Sequence, residues 1–245
     1  PPVSGTRGSG TIFFSGCTGR CRFCQNYPIS QLGYGDVVSV ERLGNMMVEL
    51  QRKGAHNINL VTPTHYMPAI LGAVTHAAGR GLRLPLVYNT SGYERPEMLR
   101  LLESVVDVWL PDAKYADHAV AQRLSGFKDY VEHDRAALVE IYRQVGDELV
   151  LDDLGIARRG MIVRHMVLPD ELAGTKEVLS WIARALSPNV HVSLMDQYFP
   201  AHRAVGDPVL GRRITAEEYE AALDAFEAAG LEHGWQQDDV LETGY

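Results

Sequence analysis

The sequence predicts an α/β fold in which parallel strands alternate with helices. Short apolar runs alternate with amphipathic stretches along its 245 residues, a pattern typical of parallel strands joined by right-handed crossovers. The chain contains 46% hydrophobic residues, which at this length is enough to bury one full core. No internal repeat, low-complexity tract or linker divides the sequence. We therefore expect one domain, or a single barrel, over residues 1–245.

Six strands are predicted from short, β-prone apolar runs. They cover residues 11–15, 57–61, 85–89, 106–110, 161–168 and 190–196. The helix-like stretches cover residues 39–53, 66–79, 95–104, 132–145, 172–186 and 215–229. Ser39 and Thr215 are suitable N-caps for the first and last helices, and Gly230 is suited to end the last one. The segment 148–168 breaks the alternation, because it predicts a helix end or strand, a turn at Asp152–Gly155 and then a long strand.

All three cysteines of the chain, Cys17, Cys21 and Cys24, lie within eight positions directly after the first predicted strand. A structural zinc site usually takes four ligands in two separated pairs, so a distant histidine would have to complete it. A disulfide framework fits poorly with an odd number of cysteines in one tight loop. An iron–sulfur cluster takes thiolate ligands, and three of them would leave one iron of a cubane open to a substrate or cofactor. The spacing favours the cluster.

Polar residues collect after five of the predicted strands, where parallel α/β folds place their chemistry. These clusters are Thr62-Pro63-Thr64-His65, Tyr88–Glu94, Asp112 with Lys114, Arg164 with His165, and Asp196–His202. Each cluster alone is explained equally well by a turn, a helix cap or a surface charge. Five clusters at five strand ends together predict a functional site. Asp112 and Lys114 are two residues apart, so we expect them on one face of an extended chain.

The run Cys17-x3-Cys21-x-Phe23-Cys24 after a strand resembles the signature of the radical S-adenosylmethionine (SAM) superfamily. The runs GTIFFSGC, NINLVTPTHY, RRGMIVRHMVLP and HVSLMDQYFPA resemble proteins related to the pyruvate formate-lyase activating enzymes and span most of the chain. This resemblance implies a partial (β/α)6 TIM-like barrel of the radical SAM type. Because the chain begins with Pro1 and not with Met, we expect it to lack an N-terminal segment, which in such relatives can carry further cysteines.

The resemblance also implies the cofactors and their ligands. Cys17, Cys21 and Cys24 would hold a [4Fe-4S] cluster whose fourth iron binds SAM, and Phe23 would lie close to the adenine. Arg164 and Lys114 would neutralise the methionine carboxylate, for which the planar guanidinium is well suited. Asp112 would accept hydrogen bonds from the ribose. The full set of residues expected to bind SAM is Phe23, Thr62, Thr64, Asn89, Ser91, Asp112, Lys114, Arg164 and His165.

The activating enzymes carry a Gly-Gly-Glu-like run after the second strand, where this chain has Thr62-Pro63-Thr64. We expect this turn to offer neutral acceptors to the methionine amino group, with Pro63 pushing Thr62 toward an extended conformation. His65 would then face the substrate as a catalytic residue, neutral near pH 7. His202 is a weaker candidate. The remaining residues expected around a substrate are Tyr27, Tyr66, Gln197 and Tyr198.

The chemistry implied is reductive cleavage of SAM to a 5′-deoxyadenosyl radical, which abstracts hydrogen from a substrate in oxidoreductase or lyase chemistry. An electron donor such as flavodoxin or ferredoxin would reduce the cluster. The substrate would be a small molecule, a peptide or a glycine of a glycyl-radical protein. The net charge of −8 argues against a nucleic-acid surface, and no apolar run reaches membrane-spanning length.

We expect a cytoplasmic location, because thiolates and a cluster suit a reducing compartment. The alternative function is a non-catalytic iron–sulfur or zinc module used in electron transfer or scaffolding. Such a module would need the three cysteines but not Asp112, Lys114 or Arg164 at the ends of strands.

Overall fold

The computed structural model describes residues 2–235, and seven of its strands form one parallel sheet. The strands are β1 (Gly10–Phe13), β2 (Ile58–Val61), β3 (Leu86–Thr90), β4 (Val108–Pro111), β5 (Val150–Leu151), β6 (Ala157–Met166), β7 (His191–Met195) and β8 (Gly234–Trp235). Their order across the sheet is β1-β2-β3-β4-β6-β7-β8, and every neighbouring pair is parallel. β5 pairs antiparallel with β6.

Helices connect the parallel strands. They are α1 (Tyr27–Ser30), α2 (Val40–Arg52), α3 (Met67–Gly79), α4 (Pro96–Arg100), α5 (His118–Ser125), α6 (Tyr130–Val145), α7 (Thr175–Ala185) and α8 (Ala216–Ala228). Ser39 caps α2 by accepting from the N–H of Arg42, and Thr215 forms a capping box with Glu218 at α8. Within the described residues, no helix is both long enough and apolar enough to cross a membrane.

The predicted elements all form in the expected order, with differences at their ends. The segment 148–168 forms the β5–β6 hairpin around the expected turn. Among the α-helices and strands, three short ones were not predicted. α1 has four residues and β8 has two, and α5 has only eight, with three of them buried, so none of them gives a long periodic signal. The predicted domain extends to residue 1 and to residues 236–245, which lie outside the described part of the chain.

Strand alternation gives the sheet an outer face covered by helices. Leu60 packs there with residues of α2 and α3, while Trp109 and Val163 belong to the core cluster that includes α6 and α7. The inner face is apolar at one end, where Val108 and Ile162 pack with Leu149 and other apolar residues. Above this apolar end, side chains of β1, β2, β3, β6 and β7, and of Asp112 directly after β4, line one cavity. The sheet is therefore curved into the expected partial barrel.

Candidate active site

A cavity of about 390 Å³ lies at the carboxyl ends of the parallel strands. Its size is within the range of small-molecule and cofactor sites. Residues of the cysteine loop, Cys21, Phe23 and Cys24, form one part of its wall. Inner-face residues from both ends of the sheet, among them Thr11 of β1 and Met195 of β7, form the rest. This cavity lies at the carboxyl ends of the strands, where the sequence analysis placed the functional site.

Backbone hydrogen bonds fix the cysteine loop against its neighbours. The N–H groups of Arg20 and Arg22 donate to the carbonyls of Ser125 and Leu124 at the end of α5, at 2.7 and 2.8 Å. Cys24 Sγ lies 3.1 Å from the hydroxyl of Ser30. The loop is thus held in one shape by contacts that do not depend on a bound metal.

The three thiols of the cysteine loop influence one another electrostatically. Among residues 2–235, no three Cys, His, Asp or Glu side chains converge on a point that one metal ion would occupy. The thiols are nevertheless close enough to influence one another: charges on Cys17 and Cys24 raise the pKa of Cys21. Burial is the main cause of the raised pKa values of Cys17 and Cys21, and the ammonium of Lys114 opposes it. Thiolates are the usual ligands of iron–sulfur clusters, so the donor type of this loop matches such a group.

Asp112, Lys114 and Arg164 form a charged group on the cavity wall. The Lys114 ammonium lies 2.6 Å from Oδ2 of Asp112, and Arg164 Nη1 lies 3.5 Å from Oδ1 of the same carboxylate. Arg164 also donates to Oδ1 of Asn89 at 3.0 Å. Although burial disfavours the charge of Lys114, the Asp112 carboxylate and the Cys21 thiolate raise the pKa of its ammonium. Two cations and one anion leave the group with a net positive charge, which suits a ligand carboxylate.

One oxygen of this group is left without a hydrogen bond. Asp112 Oδ1 is buried and has no hydrogen-bond partner within the described residues. A buried acceptor without a partner is costly, and a ligand hydroxyl would relieve that cost. Although Arg164 Nη1 lies 3.5 Å from it as an ion-pair partner, this oxygen can still accept a hydrogen bond from a ligand.

The residues of the turn after β2 face different directions: Thr62 faces the cavity, and Thr64 faces away from it. Thr62 lines the cavity, but its φ of 59° shows that the predicted extended conformation is wrong. Its N–H donates to the carbonyl of Asn89 at 3.0 Å, so a contact from the neighbouring strand overrides the local preference set by Pro63. Thr64 turns away from the cavity, and its hydroxyl donates to Glu94 at 2.6 Å.

His65 does not line the cavity. It lies in a 3-10 turn, Thr64–Tyr66, that begins directly after Pro63 and directs its ring toward the loop before the cysteines. Its Nε2 is 2.8 Å from the carbonyl of Ser15, and its side chain is exposed to solvent. The structure thus gives His65 a contact that supports the cysteine loop, and not the substrate-facing position that we expected.

His165 and Ser91 also lie outside the cavity. Adjacent residues of a strand face opposite sides, so Arg164 points inward and His165 points outward. His165 is fully buried, with Nδ1 2.6 Å from the Ala113 carbonyl and Nε2 2.9 Å from the Thr175 hydroxyl. Burial lowers its pKa to about 4. The carbonyl of Ser91 accepts a hydrogen bond from the Tyr130 hydroxyl at 2.8 Å. The expectation that His165 binds SAM is not supported by this position.

The remaining predicted residues are not among those that line the cavity. Tyr27 stacks on His202 with ring centroids 4.7 Å apart. Tyr198 is fully buried, donates to the Leu210 carbonyl at 2.6 Å and packs edge-on against Phe23. Gln197 accepts through its carbonyl from Gln25, and Tyr66 packs against the rings of Phe14 and His65. Of the aromatic residues predicted for the site, Phe23 lines the cavity.

Sequence reasoning missed Asn59. Its side chain lines the cavity from β2, opposite Thr11 of β1, and its Oδ1 is buried with no hydrogen-bond partner in the described chain. The signal was present, because an asparagine in the middle of the buried strand INLV is unusual without a polar neighbour. Asn59 therefore adds a neutral acceptor on the side of the cavity away from the charged group.

Fold and site together define a partial α/β barrel with a three-thiol loop and a charged cavity at the carboxyl ends of its strands. Residues 11–181 match the sequence model of the Radical SAM superfamily. The uncharacterized protein MJ0674 of Methanocaldococcus jannaschii is 31% identical over 233 residues, which cover 91% of this chain and 63% of that protein. This chain therefore spans less than two thirds of that relative's length.

Solved structures show the same fold at low sequence identity. The FeFe-hydrogenase maturase HydG from Carboxydothermus hydrogenoformans aligns with a TM-score of 0.60 at 12% identity, over 90% of this chain and 51% of that one. The structure of anSMEcpe with bound AdoMet aligns with a TM-score of 0.57 at 9% identity, over 89% of this chain and 60% of that one. The chain belongs to the radical SAM superfamily.

Proposed function

We propose that this chain is a radical SAM enzyme whose Cys17, Cys21 and Cys24 hold a [4Fe-4S] cluster. When bound, the cluster and SAM supply a 5′-deoxyadenosyl radical that abstracts hydrogen from a substrate. One observation carries the proposal: two thiols of the cysteine loop, Cys21 and Cys24, line the same cavity as the group Asp112–Lys114–Arg164. A non-catalytic cluster module would have no need of that charged group.

The residues of the charged group have distinct tasks in this proposal. Arg164 and Lys114 bind the methionine carboxylate, since both cations face the cavity within 3.5 Å of one shared carboxylate. Asp112 keeps both cations in place, and its Oδ1, which has no hydrogen-bond partner in the described chain, accepts from a ribose hydroxyl. Asn89 holds the Arg164 guanidinium through its own side-chain oxygen. Phe23 supplies an apolar surface for the adenine beside Cys24.

The proposal extends to partners by the chemistry that the reaction needs. A one-electron donor such as flavodoxin or ferredoxin would reduce the cluster, and the cytoplasm is the compartment that suits it. The substrate is a small molecule, a peptide or a glycyl-radical protein, the last following the resemblance to activating enzymes. Asn59 and Thr11 lie apart from the charged group and are free to contact a substrate.

The proposal is tested by anaerobic reconstitution with iron and sulfide, followed by incubation with SAM and dithionite. We expect 5′-deoxyadenosine and methionine in equal amounts by mass spectrometry. A matched protein with Cys21→Ser should give neither product. Reconstituted wild-type protein that leaves SAM intact would contradict the proposal.

A further inference from the structure

The turn after β2 holds a strained residue against the wall of the cavity. Thr62 has a φ of 59°, a left-handed conformation that β-branched residues rarely adopt. Such a conformation persists only where surrounding contacts fix it. Because Thr62 lines the cavity, the contacts that fix its backbone also determine the shape of the wall.

One carboxyl group connects this turn to the neighbouring strand. The hydroxyl of Thr64 donates to Oε1 of Glu94 at 2.6 Å, and the hydroxyl of Thr90, at the end of β3, donates to the same oxygen at 2.5 Å. The N–H of Thr62 is held separately by the carbonyl of Asn89. The carbonyl of Asn89 thus holds the N–H side of Thr62, and Glu94 holds the turn on its other side, two residues further along the chain.

The environment of Glu94 is unusual for a carboxyl group. It is 5% exposed, and within the described residues it forms no ion pair. Burial raises its pKa, and the hydrogen bonds from Thr64, Thr90 and Tyr88 oppose this only in part. Glu94 faces a second cavity, of about 280 Å³, on the other side of the turn. The titratable side chains that line this cavity with it are Tyr88, Tyr93, Arg95 and His133.

An apolar residue in place of Glu94 would leave the hydroxyl groups of Thr64 and Thr90 without this shared acceptor, so the carboxyl group is what joins the turn to β3. We propose that Glu94 is a positioning residue that clamps Thr64 to Thr90 and thereby holds Thr62 in its left-handed conformation at the SAM-binding wall. This rests on the proposed SAM-binding function of the cavity. The proposal predicts that a glycine at position 62 does not need the Glu94 clamp, because glycine adopts this φ without a Cβ penalty.

The first test measures SAM binding to anaerobically reconstituted protein by calorimetry. Glu94→Ala should raise the Kd about tenfold, the size of change that loss of one such backbone constraint produces. Glu94→Gln keeps an acceptor for both hydroxyls and should bind nearly as the wild type does. In the Thr62→Gly background, adding Glu94→Ala should change the Kd little, so the double variant should bind SAM nearly as tightly as Thr62→Gly alone. Wild-type affinity in Glu94→Ala, or an equal loss of affinity when Glu94→Ala is added to Thr62→Gly, would overturn the proposal.

The second test uses thermal unfolding and needs no ligand. Thr62→Gly should raise the Tm of the wild type by relieving strain, and should raise it less in Glu94→Ala, where Thr62 has already relaxed. The cost of glycine in the unfolded chain is the same in both backgrounds and cancels. Ser104→Gly is the matched control, because Ser104 has a φ of 63° outside this turn and should give equal gains in both backgrounds.

These two tests separate the clamp from the proposed function. If wild-type protein does not bind SAM, the proposed function fails, and the thermal comparison still decides the clamp. A smaller gain from Thr62→Gly in the Glu94→Ala background supports the clamp. An equal gain in both backgrounds overturns it.

Discussion

Replacing Arg164 with alanine tests the electrostatic design of the cavity. Arg164 is 29% exposed, donates to Asn89 and lies 3.5 Å from Asp112. Its loss lowers the net charge of the group from positive to neutral and removes the planar donor for a carboxylate. A charge-assisted hydrogen bond contributes about 1.5–3 kcal/mol. Because Arg164 is partly screened by solvent, we expect about 2 kcal/mol, which is about a 30-fold increase in the Kd for SAM.

The assay is calorimetric titration of SAM into anaerobically reconstituted Arg164→Ala, with iron content measured in the same samples. Arg158→Ala is the matched control, since Arg158 lies on the same strand but pairs with Asp152 at 2.6 Å on the surface. The control should bind SAM as the wild type does, and iron content should be equal in all three proteins. An unchanged Kd in Arg164→Ala would refute the assignment of the charged group to the methionine carboxylate.

Three further changes test other parts of the site. Cys17→Ser should lower iron and sulfide binding during reconstitution, as measured by colorimetric analysis, and full iron content in this variant would remove Cys17 from the ligand set. Gly92→Ala should destabilise the protein by more than about 3 kcal/mol, because Gly92 has a φ of 77° and a Cβ there would overlap with the carboxylate of Asp134. Gly146 has a similar φ but open space around it, so Gly146→Ala should lower stability less in thermal unfolding. Equal losses of stability in the two variants would contradict the packing argument. Burial raises the pKa of Glu94, so the native state binds its proton more tightly than the unfolded chain does. Its contribution to stability is then full below about pH 4.3 and is lost as pH rises toward the native pKa; Glu94→Gln should remove this part of the pH dependence in denaturant titrations, and identical pH profiles would contradict it.

The parts of the site that sequence predicted well depend on short-range rules. The strand before the cysteine loop and the position of Asp112 and Lys114 on one face follow from alternation along an extended chain. The same rule separates Arg164 from His165, because adjacent strand residues face opposite sides. Alternation along β6 is therefore sufficient by itself to exclude His165 from a cavity that Arg164 lines.

The parts that sequence did not predict depend on contacts between distant residues. Thr62 is left-handed because contacts from outside its own segment hold the turn, among them the bond from its N–H to the carbonyl of Asn89 on the next strand. The direction of Thr64 is set by Glu94, thirty residues away. His65 is turned toward Ser15 by the 3-10 turn that contains it. No local pattern encodes these pairings, since each needs the register between β2 and β3 or the path of the cysteine loop.

The central claim is that three thiols hold a cluster with one iron open to SAM. The most direct measurement is the iron and sulfide content of anaerobically reconstituted protein, followed by electron paramagnetic resonance of the reduced sample with and without SAM. The account predicts about four irons and four sulfides per chain, and a spectrum that changes when SAM is added. One zinc per chain without sulfide, or a cluster spectrum that SAM leaves unaltered, would contradict it.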